Sequence, residues 1–189
     1  MEIEVLPFSP VAPDTQVRSP GLHVGQVIQD MLWTLNRKKY GSAVTEQTRM
    51  LWESGFLWED ALSHVLARRL TRGREGVIVQ REIQHRGLWM TPDGINLLED
   101  RGEEYKFTRY SANHEFDSAT FRHWHWQAMA YLDAWQMNTC DFYVLFINGN
   151  YSHAADAGPL ARHYVVEYSD REIADNMRMI LNHAKGMKR

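Results

Sequence analysis

Two short runs carry residue types suited to phosphate-ester chemistry. Met90-Thr91-Pro92-Asp93-Gly94-Ile95 is followed by Gly102-Glu103-Glu104-Tyr105-Lys106-Phe107-Thr108. Asp93 and Glu104 thus lie eleven residues apart, with the turn signal Asp100-Arg101-Gly102 between them. Adjacent strands joined by that turn bring both carboxylates to one place. Two oxygen ligands of this kind suit a hard divalent cation, Mg²⁺ or Mn²⁺, which takes few protein carboxylates and leaves positions for water and phosphate. Glu104 and Lys106 are two apart and share one face of a strand. The ammonium of Lys106 then stands where it can orient an attacking water, lower its pKa or stabilise charge on a pentavalent phosphorus. Each residue also has a plainer use: Asp before Gly is a common turn pair, and Glu104 with Lys106 also suits a solvated strand face.

Those residues need elements to hold them. Val24, Val27, Ile28, Met31, Leu32 and Leu35 recur at helical spacing and predict a first core helix. A basic link, Arg37-Lys38-Lys39, leads to a second helical region with Leu57, Ala61, Leu62, Val65 and Leu66 on one face, ending near Arg68-Arg69 before Gly73 and Gly76. Three strand-like segments follow, Val77 to Gln84, Leu88 to Leu98 with an interruption at Thr91-Pro92-Asp93-Gly94, and Glu103 to Thr108. The turns between them are short enough for a meander of antiparallel strands. Ser118 to Met137 reads as an aromatic-rich helix, and Phe142 to Ile147 as a strand buried on both faces, with Tyr164 to Tyr168 its neighbour. Ser169-Asp170-Arg171-Glu172 has the form of a capping box opening a last helix whose apolar face is Ile173, Met177, Ile180, Leu181 and Ala184. The expected architecture is a mixed α/β sheet with helices packed on it.

Pro92-Asp93 with Glu104-Tyr105-Lys106 resembles the signature of the PD-(D/E)XK nuclease superfamily. Gly55-Phe56-Leu57-Trp58-Glu59-Asp60-Ala61-Leu62 resembles the acidic helix motif of the subgroup that holds RecB nuclease domains, lambda-type exonucleases and CRISPR-associated exonucleases, with Glu59 in the acidic position. Gln127-Ala128-Met129-Ala130-Tyr131 matches that subgroup's Q-X-X-X-Y motif. The four matches run in order from Gly55 to Tyr131. The resemblance implies a restriction-endonuclease-like αβββαβ core with flanking helices, and a Mg²⁺-dependent deoxyribonuclease with Mn²⁺ as a substitute. It implies that Glu59, Asp93, Glu104 and the backbone carbonyl of Tyr105 hold metal while Lys106 assists the attacking water. Gln127 and Tyr131 lie four apart on one helical face. By the resemblance, Gln127 orients Lys106, water or a phosphate, and Tyr131 supports DNA contact or local packing. A histidine that precedes the helical glutamate in some members is Trp58 here, which leaves the number of metal ions open.

Composition bounds the reading. The 189 residues, 44% hydrophobic and 24% charged, suit one soluble globular domain over 21–189. Pro7, Pro10, Pro13 and Pro20 make the segment 1–20 an extended arm. With a net charge of -3 the chain does not hold nucleic acid by bulk attraction, so DNA contact falls to local clusters. Arg68, Arg69, Arg72 and Arg74, with Arg37, Lys38 and Lys39, are such clusters, though Arg and Lys at helix ends equally serve solvation and dipole complementarity. One cysteine, Cys140, excludes an internal disulfide and the four-cysteine iron–sulfur cluster of some relatives. The chain lacks a secretory signal or a membrane-spanning apolar run, so a cytoplasmic setting in a bacterium or phage-infected cell is expected. His123 and His125 are two apart and do not share a helical face, so they make a poor metal pair. His64, one turn beyond Glu59, has two readings, a place near the active site or, the favoured one, a surface histidine. The expected activity is exonucleolytic, in phage or bacterial DNA recombination or processing. A structure-specific or nicking endonuclease and a catalytically silent DNA-binding module are the alternatives. A single-strand annealing protein and a homo-oligomer are the expected partners besides DNA.

Overall fold

The computed structural model describes residues 19–37, 45–70, 77–79, 81–150 and 158–187, with the side chains of 46–47, 63–70 and 77–79 outside that description. The expected arm over 1–20 therefore lies almost wholly outside the described residues, as do Lys38, Lys39, Arg72 and Arg74. The elements are α1 (Val24–Leu35), α2 (Glu46–Leu70), β1 (Val77–Val79), β2 (Ile83–His85), β3 (Leu88–Met90), β4 (Gly94–Asn96), β5 (Arg101–Thr108), α3 (Arg122–Trp135), β6 (Thr139–Phe146), β7 (Leu160–Glu167) and α4 (Asp170–Met187). No helix among the described residues is long and apolar enough to cross a membrane.

Among the described residues, five strands form one sheet in the order β1-β4-β5-β6-β7. β1, β4 and β5 pair antiparallel, β6 joins β5 in parallel, and β7 returns antiparallel to β6. A parallel neighbour needs a crossover, and α3 supplies it between β5 and β6. The helix α2, three antiparallel strands, α3 and a parallel strand complete the expected αβββαβ order within a mixed α/β fold.

The expected meander is corrected in one respect. The segment read as one strand over Val77 to Gln84 divides: β1 belongs to the main sheet, whereas β2, among the described residues, pairs only with β3 in a separate hairpin. The hairpin leaves the sheet because the start of α1 holds it. Trp89 donates its backbone N–H to Leu22 O at 2.9 Å and its indole N–H to Pro20 O at 3.0 Å, while Glu82 accepts the Ser19 hydroxyl. At the hairpin tip, Arg86 and Gly87 have φ of 49° and 80°, the left-handed pair that a two-residue turn requires. Arginine is an uncommon choice there, and its guanidinium is anchored to Asp133 on α3.

α3 is central because it is apolar on two sides. Trp124, Ala128 and Leu132, at four-residue steps, pack on Ile95, Phe142, Val144 and Phe146 of the sheet. Ala130 and Tyr131 pack instead with Val27, Ile28 and Met31 of α1 and with Met177 and Ile180 of α4. Each large side chain buried this way contributes about 1.5–3 kcal/mol relative to exposure. Leu35, expected in the first core face, is 66% exposed because α1 ends beside it at Asn36. α3 starts at Arg122 rather than Ser118, since Ser118 and Phe121 close two tight turns before it. The expected burial of β6 on both faces is corrected: Phe142, Val144 and Phe146 share one buried face, whereas Tyr143 and Leu145 on the other are half-buried beside the exposed β7. The capping box of α4 forms as expected: Ser169 N–H donates to Glu172 Oε2, and Glu172 N–H to Ser169 Oγ.

Two glycines permit the close approach of β4, β5 and α3. A Cβ on Gly102 would meet Leu132 Cδ2 at 3.2 Å, and one on Gly94 would meet Tyr105 Oη at 3.0 Å and Glu103 Oε2 at 3.1 Å. Gly94→Ala is therefore expected to destabilise the fold by about 1–3 kcal/mol through overpacking. Denaturant unfolding checks this, and an unchanged midpoint would contradict the packing of Gly94 against Tyr105.

Candidate active site

The register of β5 places its side chains on two faces. Glu104 and Lys106 share one, and Glu103 and Tyr105 the other, where Tyr105 donates its hydroxyl to Glu103 Oε2 at 2.6 Å. Asp93 stands one residue before β4 begins. Pairing of β4 with β5 starts at Gly94 opposite Glu103, so the Tyr105 N–H further along has no β4 ladder partner. Asp93 Oδ2 accepts that N–H at 2.8 Å, so the side chain continues the ladder where the backbone leaves it. Asp93 is thereby fixed beside Glu104 and Lys106.

Lys106 Nζ lies directly against Glu104 Oε2 and 3.5 Å from Asp93 Oδ2. Glu104 is 1% exposed and Asp93 7%. The other Glu104 oxygen, Oε1, is buried without a hydrogen-bond partner among the described residues. Glu59 reaches the same group from α2, which packs against β5, and its carboxyl interacts electrostatically with Asp93, Lys106 and Glu104. Three acidic groups therefore face one ammonium.

The titration behaviour reflects that imbalance. Burial, and then the Asp93 charge, push the Glu59 carboxyl up to about 7 against the pull of Lys106. Burial pushes Glu104 up to about 8, with Lys106 opposing and Asp93 assisting. Burial alone would lower Lys106, but the Glu104 and Asp93 carboxylates overcome it and hold the ammonium above its ordinary range. Lys106 is thus a cation, and the cluster is short of positive charge.

The resemblance-based positions Glu59, Asp93, Glu104 and Lys106 come together. Tyr105 contributes its N–H to the cluster through Asp93, while its ring lies on the opposite sheet face. Gln127 donates its amide to Tyr131 Oη at 2.7 Å, so its bond goes to the tyrosine rather than to Lys106. Tyr131 is 5% exposed, and its phenol is raised by burial first and by Glu104 next. That placement gives Tyr131 a packing position behind the carboxylates rather than one open to a strand in solvent. Arg68 and Arg69 lie in the last turn of α2, where the side chains, like that of His64, are outside the described residues. Trp58 is half-buried with an indole N–H that has no partner among the described residues. His125 is a structural residue: its Nδ1 meets Tyr168 Oη at 2.5 Å and its Nε2 meets Phe116 O at 2.9 Å, and burial lowers its pKa.

Sequence reasoning passed over a second polar cluster on the Glu103 face. Asp141 Oδ1 meets His163 Nε2 at 2.7 Å, and Tyr143 stacks on the His163 ring at 4.4 Å. The signal was the period of two along β6 and β7, hidden because both strands read mainly as apolar runs.

The donor set of the first cluster is all oxygen, with one orphaned buried carboxylate atom, and so fits a hard divalent cation. It is not a finished cage: among the described residues no three His, Cys, Asp or Glu side chains are arranged as a ready ligand group. Water and phosphate oxygens complete the shell of such an ion.

No family model and no curated protein matches the chain. Solved structures do. The protein SSO0001 is 13% identical over 93% of this chain and 80% of its own, with a TM-score of 0.51. A phage-related exonuclease from Haemophilus somnus 129PT is 10% identical over 85% of this chain and 78% of its own, at 0.48. An alkaline exonuclease, LHK-Exo, from Laribacter hongkongensis is 15% identical over 88% and 89%, at 0.45. The likeness to SSO0001 shows a shared fold.

The raised carboxyls set a pH dependence. A glutamate raised in the folded state contributes stability below its unfolded value of 4.5, and that contribution is lost as pH rises through about 7 for Glu59 and about 8 for Glu104. The metal-free Tm is expected to fall between those limits. Mg²⁺ or Mn²⁺ raises it, more at the alkaline end, because ligands bind metal deprotonated. Scanning calorimetry in chelator and in metal across this range checks both slopes, and a Glu104→Gln variant flattens them.

Proposed function

We propose that this chain is a Mg²⁺-dependent deoxyribonuclease that hydrolyses phosphodiester bonds, with Mn²⁺ able to replace Mg²⁺. One observation carries the reading: Glu59, Asp93 and Glu104, from α2, the start of β4 and β5, converge on Lys106 in a buried cluster of three carboxyl groups and one ammonium. Fully ionised, the three carboxylates and one ammonium leave two negative charges, which a doubly charged ion would balance. Glu59, Asp93, Glu104 and the Tyr105 carbonyl would hold that ion. When bound, it supplies Lewis-acid polarisation of the phosphate and acidifies water.

The protein's own groups do the rest. Asp93 is held in place by the Tyr105 N–H. Lys106 stays protonated between Asp93 and Glu104, so it acts as a positive charge and hydrogen-bond donor rather than as a base. It orients the attacking water and stabilises negative charge that develops on the phosphoryl oxygens. Tyr131, held by Gln127, backs Glu104.

End-directed cleavage, a role in phage or bacterial DNA recombination or processing, and a domain over 21–189 complete the proposal on the strength of the motif resemblance. Basic groups at Arg68, Arg69, Arg72 and Arg74 contact the phosphate backbone in this reading.

Plasmid and end-labelled linear DNA incubated with Mg²⁺ test it. Wild type is expected to release mononucleotides from linear DNA, and Lys106→Ala to lose about 10²–10³-fold in rate, the typical loss for one electrostatic donor. Nicking of closed plasmid would redirect the proposal to an endonuclease. Equal inactivity of wild type and variant with either metal would leave a DNA-binding module.

A further inference from the structure

α2 carries apolar side chains that its packing does not use. Over its described part, the inward arc is Leu51, Ser54, Gly55, Trp58 and Leu62, all half-buried. Trp52 and Phe56 are 54% and 37% exposed. At 100° per residue, Trp52, Phe56 and Glu59 fall within about 60° of the helix circumference, on one rim of that arc. At 1.5 Å per residue, Phe56 is about 4.5 Å and Trp52 about 10.5 Å along the axis from Glu59. Two exposed aromatic rings thus continue in line from the acidic cluster, and Arg49, exposed three residues before Trp52, stands at the outer end.

We propose that Trp52 and Phe56 form a stacking ledge for the unpaired nucleobases of a DNA strand whose phosphate lies at the Glu59, Asp93, Glu104 and Lys106 cluster. The proposal rests on the nuclease reading of that cluster and adds the substrate class: ends with single-stranded character. Three features favour bases as the occupant. The ledge is continuous with the site through Glu59, so a strand lying along this side of the helix from the site meets both rings. The exposed acids Glu53 and Asp60 beside it disfavour a phosphate backbone laid along the helix and leave neutral ring faces as what the helix offers. The two positions are about 6 Å apart along the helix axis, wider than the 3.4 Å rise of a stacked duplex strand, which suits splayed, unpaired bases. Every base has a face that stacks on an aromatic ring, so such a ledge is tolerant of sequence.

Fluorescence anisotropy in EDTA, where the DNA stays intact, measures binding of the full chain to a labelled single strand, a duplex with a single-stranded overhang and a blunt duplex. Trp52→Ala and Phe56→Ala are each expected to weaken single-strand and overhang binding about 5- to 150-fold, the range for removing one stacking partner. Blunt-duplex binding stays unchanged, and Trp52→Phe restores most of the loss. Because both side chains are exposed, circular dichroism of the variants is expected to match wild type. Unchanged single-strand binding in both alanine variants overturns the ledge, as does an equal loss on all three DNAs or an absence of binding by wild type. Self-association that the same substitutions abolish without an effect on DNA also overturns it, and assigns the rings to a second copy of the chain. A separate Mg²⁺ incubation keeps the two readings apart. Intact DNA with the expected binding pattern refutes the nuclease and leaves the ledge, whereas cleavage with unaltered binding refutes the ledge and leaves the nuclease.

Discussion

The burial of three carboxyl groups around a single ammonium is the constraint around which this molecule is arranged. Carboxylates leave water at a cost of several kcal/mol each unless paired or hydrogen-bonded. Here Glu104 is almost wholly enclosed, Asp93 nearly so, and Glu59 approaches from a helix, with Lys106 as their shared counter-charge. A protein selected for stability alone would replace such a cluster with apolar side chains of similar volume. Retaining it makes sense if another cation completes the charge balance, since burial first and the neighbouring Asp93 charge after it displace both Glu59 and Glu104 upward.

The surrounding fold reads as a device for holding the cluster still. The pairing of β4 stops at Gly94 opposite Glu103, two residues short of Tyr105, and Asp93 takes over the missing bond. Glycines at 94 and 102 let β4, β5 and α3 approach until Tyr105, Glu103 and Leu132 fill the space between them. α3 is clamped on both sides, and the hairpin β2–β3 adds a third restraint where His85 and Arg86 both reach Asp133. Asp133 lies two residues beyond Tyr131, so the restraint acts on the turn of helix that backs Glu104. A polar clamp at a hairpin tip explains why a non-glycine residue is kept in a left-handed conformation there.

Much of this was legible in the chain. Period and punctuation located most elements, because an apolar face at three- and four-residue steps has few other uses, as α1 and α4 show. Ser169 and Glu172 announced the start of α4 through chemistry that is local and needs no tertiary partner. The alternation Glu104, Lys106 against Glu103, Tyr105 follows from strand geometry alone. What failed was longer in range. The split between β1 and β2 depends on Trp89, Glu82 and the chain before α1, more than sixty residues away in the cases of Ser19 with Glu82 and Pro20 with Trp89.

The amino-acid sequence by itself determined the residue types of the cluster, the faces they share on strand or helix, and the order of the elements. These are properties of neighbouring residues and of backbone periods of 2.0 and 3.6. Only the tertiary structure decided that Glu59 on α2 meets Asp93 and Lys106, that Gln127 spends its hydrogen bond on Tyr131, and that Tyr131 is buried while Trp52 and Phe56 are not. Burial and electrostatic coupling between distant segments arise from how helices and sheet close over one another, and no local pattern encodes that closure.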